Sequence, residues 1–208
     1  KRRDSVFCED YLKAGYLPEA LLNFVALLGW APKDNRELYT LPEFVEHFDV
    51  KGFQDANPRF FIDKLNYFNG QYIRQIPDAE LLPLIHPFAP SDASDELLLS
   101  IIPLIKTRIS LLSEFTTLTE FFFSKPAKPE LTAVEVSYIE LAKGILTDCE
   151  WTKEGIESAL VQAVKEKGWK NGPFFAAMRL AVTGKKVSPP LTESMLILGR
   201  DAVLTRLS

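Results

Sequence analysis

Helical periodicity between residues that start and end helices is the feature that most constrains the fold of this 208-residue chain. In the run LPEALLNFVALLG (17–29), Pro18 suits a first helical turn, apolar residues recur at intervals of three and four, and Gly29 can end a helix. Thr40 and Glu43 have the spacing of a capping box. No segment alternates polar and apolar residues between hairpin-type turns. The sequence therefore predicts an all-α protein.

Similar patterns continue along the chain. Pro103 is expected to kink or divide one of the helices, and Asn69-Gly70 to form a turn. Gly184 is placed to end another helix. The stretch SKPAKPE (124–130) combines two prolines with polar residues and predicts a joint between modules. Beyond the first two, helices are predicted over 60–69, 79–85, 94–108, 113–123, 133–146, 153–167, 173–183, 191–198 and 200–207.

Composition and charge exclude some classes of protein. The formal net charge of −4 argues against a chain that coats nucleic acid with its whole surface, although a local basic patch stays possible. No apolar run approaches the roughly 20 residues of a membrane span. Cys8 and Cys149 are compatible with a reducing compartment, and we expect both thiols to be buried or half-buried. Because the chain begins at Lys1 without a methionine, we expect a fragment or a processed product.

Patterns for catalysis and metal binding are sparse. His47 and His86 have no Cys, Asp or Glu near them at metal-ligand spacing. The sequence contains no glycine-rich phosphate loop, zinc-protease motif or nucleophile elbow. We therefore predict no catalytic residue and no metal site in this chain, and no catalytic activity for the chain alone.

Two stretches mix aromatic and basic residues in the way that RNA-binding surfaces do. Residues 64–74 place Tyr67, Phe68 and Tyr72 among basic residues, and residues 165–186 place Trp169 and Phe174 or Phe175 among six cations and a single carboxylate. The alternative for the first stretch is that its aromatic residues belong to the core, and for the second that it is a solvated basic face over a core of Phe175, Met178 and Val182. A third, weaker candidate is Lys106 with Arg108 at the end of an apolar helix, where cations also suit the helix dipole.

Three runs of the sequence carry a family resemblance. They are EDYLKAGYLPEALLNFVALLGW (9–30), DKLNYFNGQYIR (63–74) and MRLAVTGKKVSPPLTESMLILGRDAVLTRL (178–207). In this order they closely resemble the bacterial-type glutamyl-tRNA synthetases, class I enzymes, downstream of the catalytic domain. The resemblance implies a stem-contact helical region at 1–72 and an α-helical cage that binds the anticodon, with subdomains at 73–128 and 129–208.

The family resemblance also implies a function. The full-length enzyme is expected in the cytoplasm, where it attaches glutamate to tRNA(Glu) with ATP and Mg²⁺; this part alone is expected to hold no cofactor and to be inactive. The implied partners are tRNA(Glu) and the upstream catalytic domain, with no DNA or membrane, and the protein is expected to be monomeric. Lys1 and Arg2 resemble the end of the family's K-[LM]-S-K-R loop, so Lys1 is expected to meet ATP phosphates only with the missing domain. The alternative is an all-helical protein-interaction scaffold that binds no RNA.

Individual tRNA-binding residues follow from the same resemblance. Arg108 matches the arginine that in discriminating members reads the third anticodon base, and Arg179 matches an arginine that faces the anticodon loop. The second of two prolines, Pro190, departs from the family pattern and removes a backbone N–H that could contact a base. The predicted set is Arg108, Arg179, Ser188, Pro189, Leu191, Lys64, Arg74, Lys185 and Lys186.

Overall fold

The structure, a computed structural model, describes residues 7–55 and 59–208. These residues contain no β-strand, only an isolated antiparallel bridge between Trp30 and Phe53. The all-α prediction is therefore confirmed. In the described ranges the helices are α1 (Cys8–Lys13), α2 (Pro18–Gly29), α3 (Leu41–His47), α4 (Ile62–Gln75), α5 (Asp78–Ile85), α6 (Asp95–Ile105), α7 (Glu114–Phe123), α8 (Ala133–Asp148), α9 (Lys153–Glu166), α10 (Asn171–Thr183), α11 (Leu191–Leu198) and α12 (Arg200–Arg206), with short 3₁₀ helices at Val50–Gly52 and His86–Phe88.

The helices form two compact units. The first comprises residues up to 89 together with 106–115, and the second comprises 90–105 together with 116–208. The chain thus passes between the units more than once, and α7 begins in the first and continues in the second. The domain limits expected after residues 72 and 128 divide the chain by its contacts with tRNA and not by compactness. They therefore stay a prediction.

The core of the first unit lies where α2 packs on α4. The aromatic rings of Phe24 and Phe68 meet edge to face with centroids 6.1 Å apart, and Leu65 is fully buried beside them. Such an arrangement follows from the apolar stripe of α2 and from the buried side of the more polar helix α4. Packing on α2 buries one side of α4 and leaves its other side exposed.

The expected turn at Asn69-Gly70 is wrong, because both residues lie inside α4. The side chain of Asn69 is fully buried, and it hydrogen-bonds to backbone groups of Leu17, Gly15 and Ser110. These tertiary hydrogen bonds replace the local ones that make asparagine favour turns. As a result the helix extends to Gln75, and the residues around this pair share one helix.

The core of the second unit is built by α8 to α12. Pro103, in α6, does not divide its helix, which ends two residues later at Ile105. The apolar residues on both sides of this proline are buried, so packing keeps the helix continuous. The buried core of the unit includes Tyr138, Ile139, Ala142, Leu146, Ile156, Leu160, Val164, Phe174, Ala177, Met178, Val182, Met195 and Val203.

The predicted helix ends are largely confirmed. Thr40 and Glu43 form a complete capping box at the start of α3. Gly184 ends α10 with a φ of 71°, a backbone conformation that favours glycine. The stretch 124–130 is a non-helical connector between α7 and α8. The prediction for Cys8 is wrong, because this thiol is exposed at the start of a short helix that was not predicted.

Candidate nucleic-acid interface

Residues 184–190 form the loop between α10 and α11, and this loop is hydrogen-bonded by Arg179. Its Nη1 donates hydrogen bonds to the Oγ of Ser188 at 2.6 Å and to the carbonyl oxygen of Pro189 at 2.9 Å. The half-buried guanidinium therefore closes the loop onto the helix from which it leaves. A planar group with several donors suits this task, because it can bond two acceptors at once.

Further contacts hold the loop and the end of α10 just before it. Lys185 forms an ion pair with Glu120 of α7 at 2.8 Å and also donates to a backbone carbonyl of that helix. A Cβ atom added at Gly184 would lie 2.7 Å from Pro126, so the loop packs directly on the connector. Arg206 donates to the carbonyl oxygens of Val182 at 2.8 Å and Phe121 at 2.7 Å, near the ends of α10 and α7.

The exposed part of the loop is its tip. Lys186 and Val187 are both exposed, and Val187 has 71% of its surface accessible. By contrast, Ser188 and Leu191 are 2% and 6% exposed, and Pro189 is also buried. The structure thus brings the predicted loop residues together, but it places only the tip where a large ligand can touch side chains.

The first unit carries a separate group of basic residues. Lys64 forms an ion pair with Glu37 at 2.6 Å. Arg74, also on α4, donates to the carbonyl oxygen of Thr107 at 3.4 Å, and Thr107 precedes the exposed Arg108 in the chain. The side chain of Arg74 therefore reaches the residue just before Arg108 in the chain.

The aromatic residues expected among the basic ones divide into core and surface. Tyr67 is 53% exposed, whereas Phe68 and Phe174 are fully buried. Trp169 is partly buried against the core, with its ring 4.7 Å from that of Tyr138. The basic face of the alternative interpretation is present, since Lys165, Lys167 and Lys170 are all exposed. Of the core residues expected with it, Met178 and Val182 are fully buried and Phe175 is half-buried.

A cleft beside Tyr67 was not predicted from the sequence. It has a volume of about 420 Å³ and is also lined by Arg36, Tyr39 and Tyr72. The hydrogen bond from Arg36 is the main cause that lowers the pKa of Glu43 to about 2. Burial is the main cause that raises the pKa of Tyr39 to about 12. No sequence pattern could have found this cleft, because the segment 36–43 meets α4 only in the folded chain.

The described residues offer neither a cluster of metal ligands nor a membrane-spanning helix. Among residues 7–55 and 59–208, no three or more His, Cys, Asp or Glu side chains are placed to hold a metal ion. No helix in these ranges is long and apolar enough to cross a membrane. Lys1, expected to meet ATP phosphates in the full-length enzyme, lies outside the described residues.

Comparison with known families divides the chain in two. Residues 80–208 match the anticodon binding domain family, and residues 1–67 match the catalytic domain family of class I tRNA synthetases for Glu and Gln. The second match overlaps the region that the sequence predicted to contact the tRNA stem. Together the two matches leave only a short stretch unassigned, at residues 68–79.

Individual proteins similar to this chain are glutamate–tRNA ligases or synthetases. A glutamate–tRNA ligase of Fervidobacterium nodosum is 36% identical over all of this chain and 45% of its own length, and one of Solibacter usitatus is 38% identical over 95% of this chain and 45% of its own length. The chain thus spans about half the length of the curated relatives it matches. Crystal structures of a glutamate–tRNA ligase from Elizabethkingia meningosepticum and a glutamate–tRNA synthetase from Elizabethkingia anophelis match with TM-scores of 0.85 and 0.82, at 26% and 29% identity. Each covers 95% of this chain and 41% of its own chain. The chain therefore belongs to the anticodon binding domain family.

Proposed function

We propose that this chain is the tRNA-binding part of a glutamate–tRNA ligase and that it recognises the stem and anticodon of tRNA(Glu). The observation that carries the proposal is the match of residues 80–208 to the anticodon binding domain family. Within this range, the loop 184–190 presents a lysine on a rigid helical scaffold. Proteins read unpaired RNA loops with such rigid surfaces, while lysine and arginine side chains hold the phosphates.

The exposed basic residues are the proposed RNA contacts. Lys186 in the second unit and Lys64, Arg74 and Arg108 in the first unit are all exposed. Arg108 is proposed to meet the anticodon and the α4 residues the stem. Because the net charge of the chain is −4, these local groups rather than the whole surface must attract the phosphates.

The activity is proposed for the longer enzyme and not for this chain. In that enzyme, glutamate would be joined to tRNA(Glu) with ATP and Mg²⁺ in the cytoplasm, and the protein would act as a monomer without DNA or a membrane. Neither the described side chains nor the sequence motifs of this chain offer a metal-ligand cluster or a phosphate loop. The proposal therefore assigns no step of the ATP chemistry to these residues.

Binding of tRNA at several salt concentrations tests the proposal. The chain is expected to bind tRNA(Glu) more tightly than an unrelated tRNA, with an affinity that falls as salt rises. A mixture of this chain with glutamate, ATP and tRNA(Glu) is expected to give no charged tRNA. Equal affinity for both tRNAs would contradict recognition of tRNA(Glu), and no tRNA binding above background would favour the protein-interaction scaffold.

A further inference from the structure

We infer that Lys106 and its ion-pair partner Asp78 are positioning residues for Arg108, and that the first unit thereby controls how the chain reads the anticodon. The inference rests on the proposed function, in which Arg108 meets the anticodon, and it names the groups that hold this arginine. Two observations carry it: the unit to which Arg108 belongs, and the contacts that fix the turn on which it lies.

Arg108 belongs to the compact unit that contains α1 to α5. Its segment, residues 106–115, is part of this first unit, although the match at 80–208 assigns the same segment to the anticodon binding domain family. The chain enters the unit directly after Ile105, the last residue of α6, and residues 106–108 form a turn. Contacts with other parts of the first unit therefore set the backbone position of Arg108.

An ion pair holds the turn on the side before Arg108. The Nζ of Lys106 lies 2.8 Å from the Oδ1 of Asp78, the first residue of α5. Only 17% of the Lys106 side chain is accessible, so this lysine is mostly covered by the protein. Arg74 of α4 adds a longer hydrogen bond, because its Nη2 donates to the carbonyl oxygen of Thr107 at 3.4 Å. The turn is thus tied to two helices of the unit.

The backbone just after Arg108 is anchored as well. Ile109 is fully buried, and the carbonyl oxygen of Ser110 accepts a 2.6 Å hydrogen bond from the side-chain amide of Asn69. Arg108 itself is exposed. Its side chain therefore lies on the surface, on backbone that is held on both sides.

A fixed backbone matters for an arginine that reads a base. Two donors of one guanidinium can bond two acceptors on the edge of a base only if the planar group approaches in a defined orientation. A mobile turn would have to be ordered on binding, which costs conformational entropy. An ion pair that holds the turn should therefore contribute to the choice of base, while it adds little to the affinity that phosphate contacts supply.

The test compares two tRNAs that differ in a single base. One is tRNA(Glu), and the other is the same tRNA with the third anticodon base changed from cytosine to guanine. The wild-type chain is expected to bind the first about tenfold or more tightly. In the double variant Asp78→Asn/Lys106→Gln, this preference should fall at least about threefold. The salt dependence of tRNA(Glu) binding should not change, because the double variant keeps the net charge.

The single variants separate positioning from direct contact. Because Asp78→Asn and Lys106→Gln break the same ion pair, each is expected to lower the preference about as much as the double variant does. If Lys106 instead met a phosphate, Lys106→Gln would lower the slope of log affinity against log salt by about 0.7 and would leave the preference unchanged. Asp78→Asn would then also leave the preference unchanged, and this pair of results would overturn the inference.

The control is an ion pair of the same kind elsewhere in the first unit. Lys33 and Asp49, between α2 and α4, also pair at 2.8 Å. Lys33→Gln/Asp49→Asn should leave the preference for the anticodon base unchanged, and a fall as large as in Asp78→Asn/Lys106→Gln would overturn the positioning role. Partly exposed ion pairs add little to stability, so both double variants are expected to fold. If Asp78→Asn/Lys106→Gln does not fold, Asp78→Asn alone gives the test.

The outcomes distinguish this inference from the proposed function. A wild-type chain that prefers tRNA(Glu) to an unrelated tRNA, but binds both anticodon forms equally, overturns the inference and leaves the proposed function standing. An unchanged preference in Asp78→Asn/Lys106→Gln has the same meaning. A wild-type chain that does not prefer tRNA(Glu) to an unrelated tRNA overturns both.

Discussion

The side chain of Asn69 accepts a 2.8 Å hydrogen bond from the backbone N–H of Leu17, 52 positions earlier in the chain. The same amide donates to the carbonyl oxygens of Gly15 at 3.2 Å and Ser110 at 2.6 Å. One buried side chain thus joins α4 to the turn before α2 and to the segment before α7. The Gly15 carbonyl also accepts from the backbone N–H of Leu112 at 3.0 Å, so the N–H of Leu17 and the carbonyl of Ser110 are the groups that lose most without the amide.

Replacement of Asn69 by alanine should strongly destabilise the first unit. The N–H of Leu17 and the carbonyl of Ser110 would lose this partner at about 1–3 kcal/mol each, so we expect a loss of about 2 kcal/mol or more in the free energy of unfolding. Urea denaturation followed by circular dichroism measures it. Gln71→Ala on the same helix is the control, since its residue is only half-buried. A loss as small as the control's would show that water or neighbouring groups replace the amide.

Two glycines with similar φ angles allow the cost of backbone strain to be distinguished from the cost of a steric contact. Gly184 and Gly168 have φ values of 71° and 69°, but only Gly184 has an atom of Pro126 at 2.7 Å from an added Cβ. Gly168→Ala should cost about 1–2 kcal/mol for the left-handed backbone. Gly184→Ala should cost clearly more because it also displaces the connector. Thermal unfolding of both variants checks the order, and equal losses would remove the contact with Pro126 from the explanation.

Arg206 should stabilise the second unit through its hydrogen bonds to two backbone carbonyls. Burial lowers the pKa of this guanidinium, which donates to the carbonyl oxygens of Val182 and Phe121. Arg206→Met keeps much of the apolar stem but leaves both carbonyls without this donor, and we expect a loss of about 2–3 kcal/mol in unfolding free energy. Arg206→Lys, which keeps the charge but not the planar fork, should lose less. Wild-type stability of Arg206→Met in chemical denaturation would contradict this role.

The contribution of Glu43 should disappear in acid. Its pKa falls from 4.5 to about 2 in the folded chain, first because of the hydrogen bond from Arg36 and then because of those from Thr40. A lowered folded pKa stabilises the protein above the unfolded pKa, and the stabilisation is lost as the pH falls toward the folded value. The difference in Tm between wild type and Glu43→Gln should therefore shrink between pH 5 and pH 2. Glu46→Gln controls for the loss of a carboxylate on the same helix, and a Tm difference that does not change with pH would refute the assignment.

Much of the fold could be predicted from local patterns. The bounds of α2 and the capping box at Thr40 and Glu43 follow from residues within four positions of one another. The glycine after α10 marks the end of that helix for the same reason. The candidate site was less predictable. The resemblance pointed to the loop after α10, but Val187 carried no signal because its exposure depends on how the rest of the loop is anchored.

The sequence by itself determined which segments are helical and where most of them end, because periodicity, caps and prolines act over a few residues. Only the tertiary structure decided how polar side chains are used. Asn69 was expected in a turn, but its buried side chain links separate segments of the unit. The reason is that Gly15, Leu17 and Ser110 lie beside it only in the packed unit. Arg179 likewise bonds Ser188 and Pro189 because the loop folds back onto α10. The free energy of a buried hydrogen bond depends on partners distant in sequence, which no local pattern encodes.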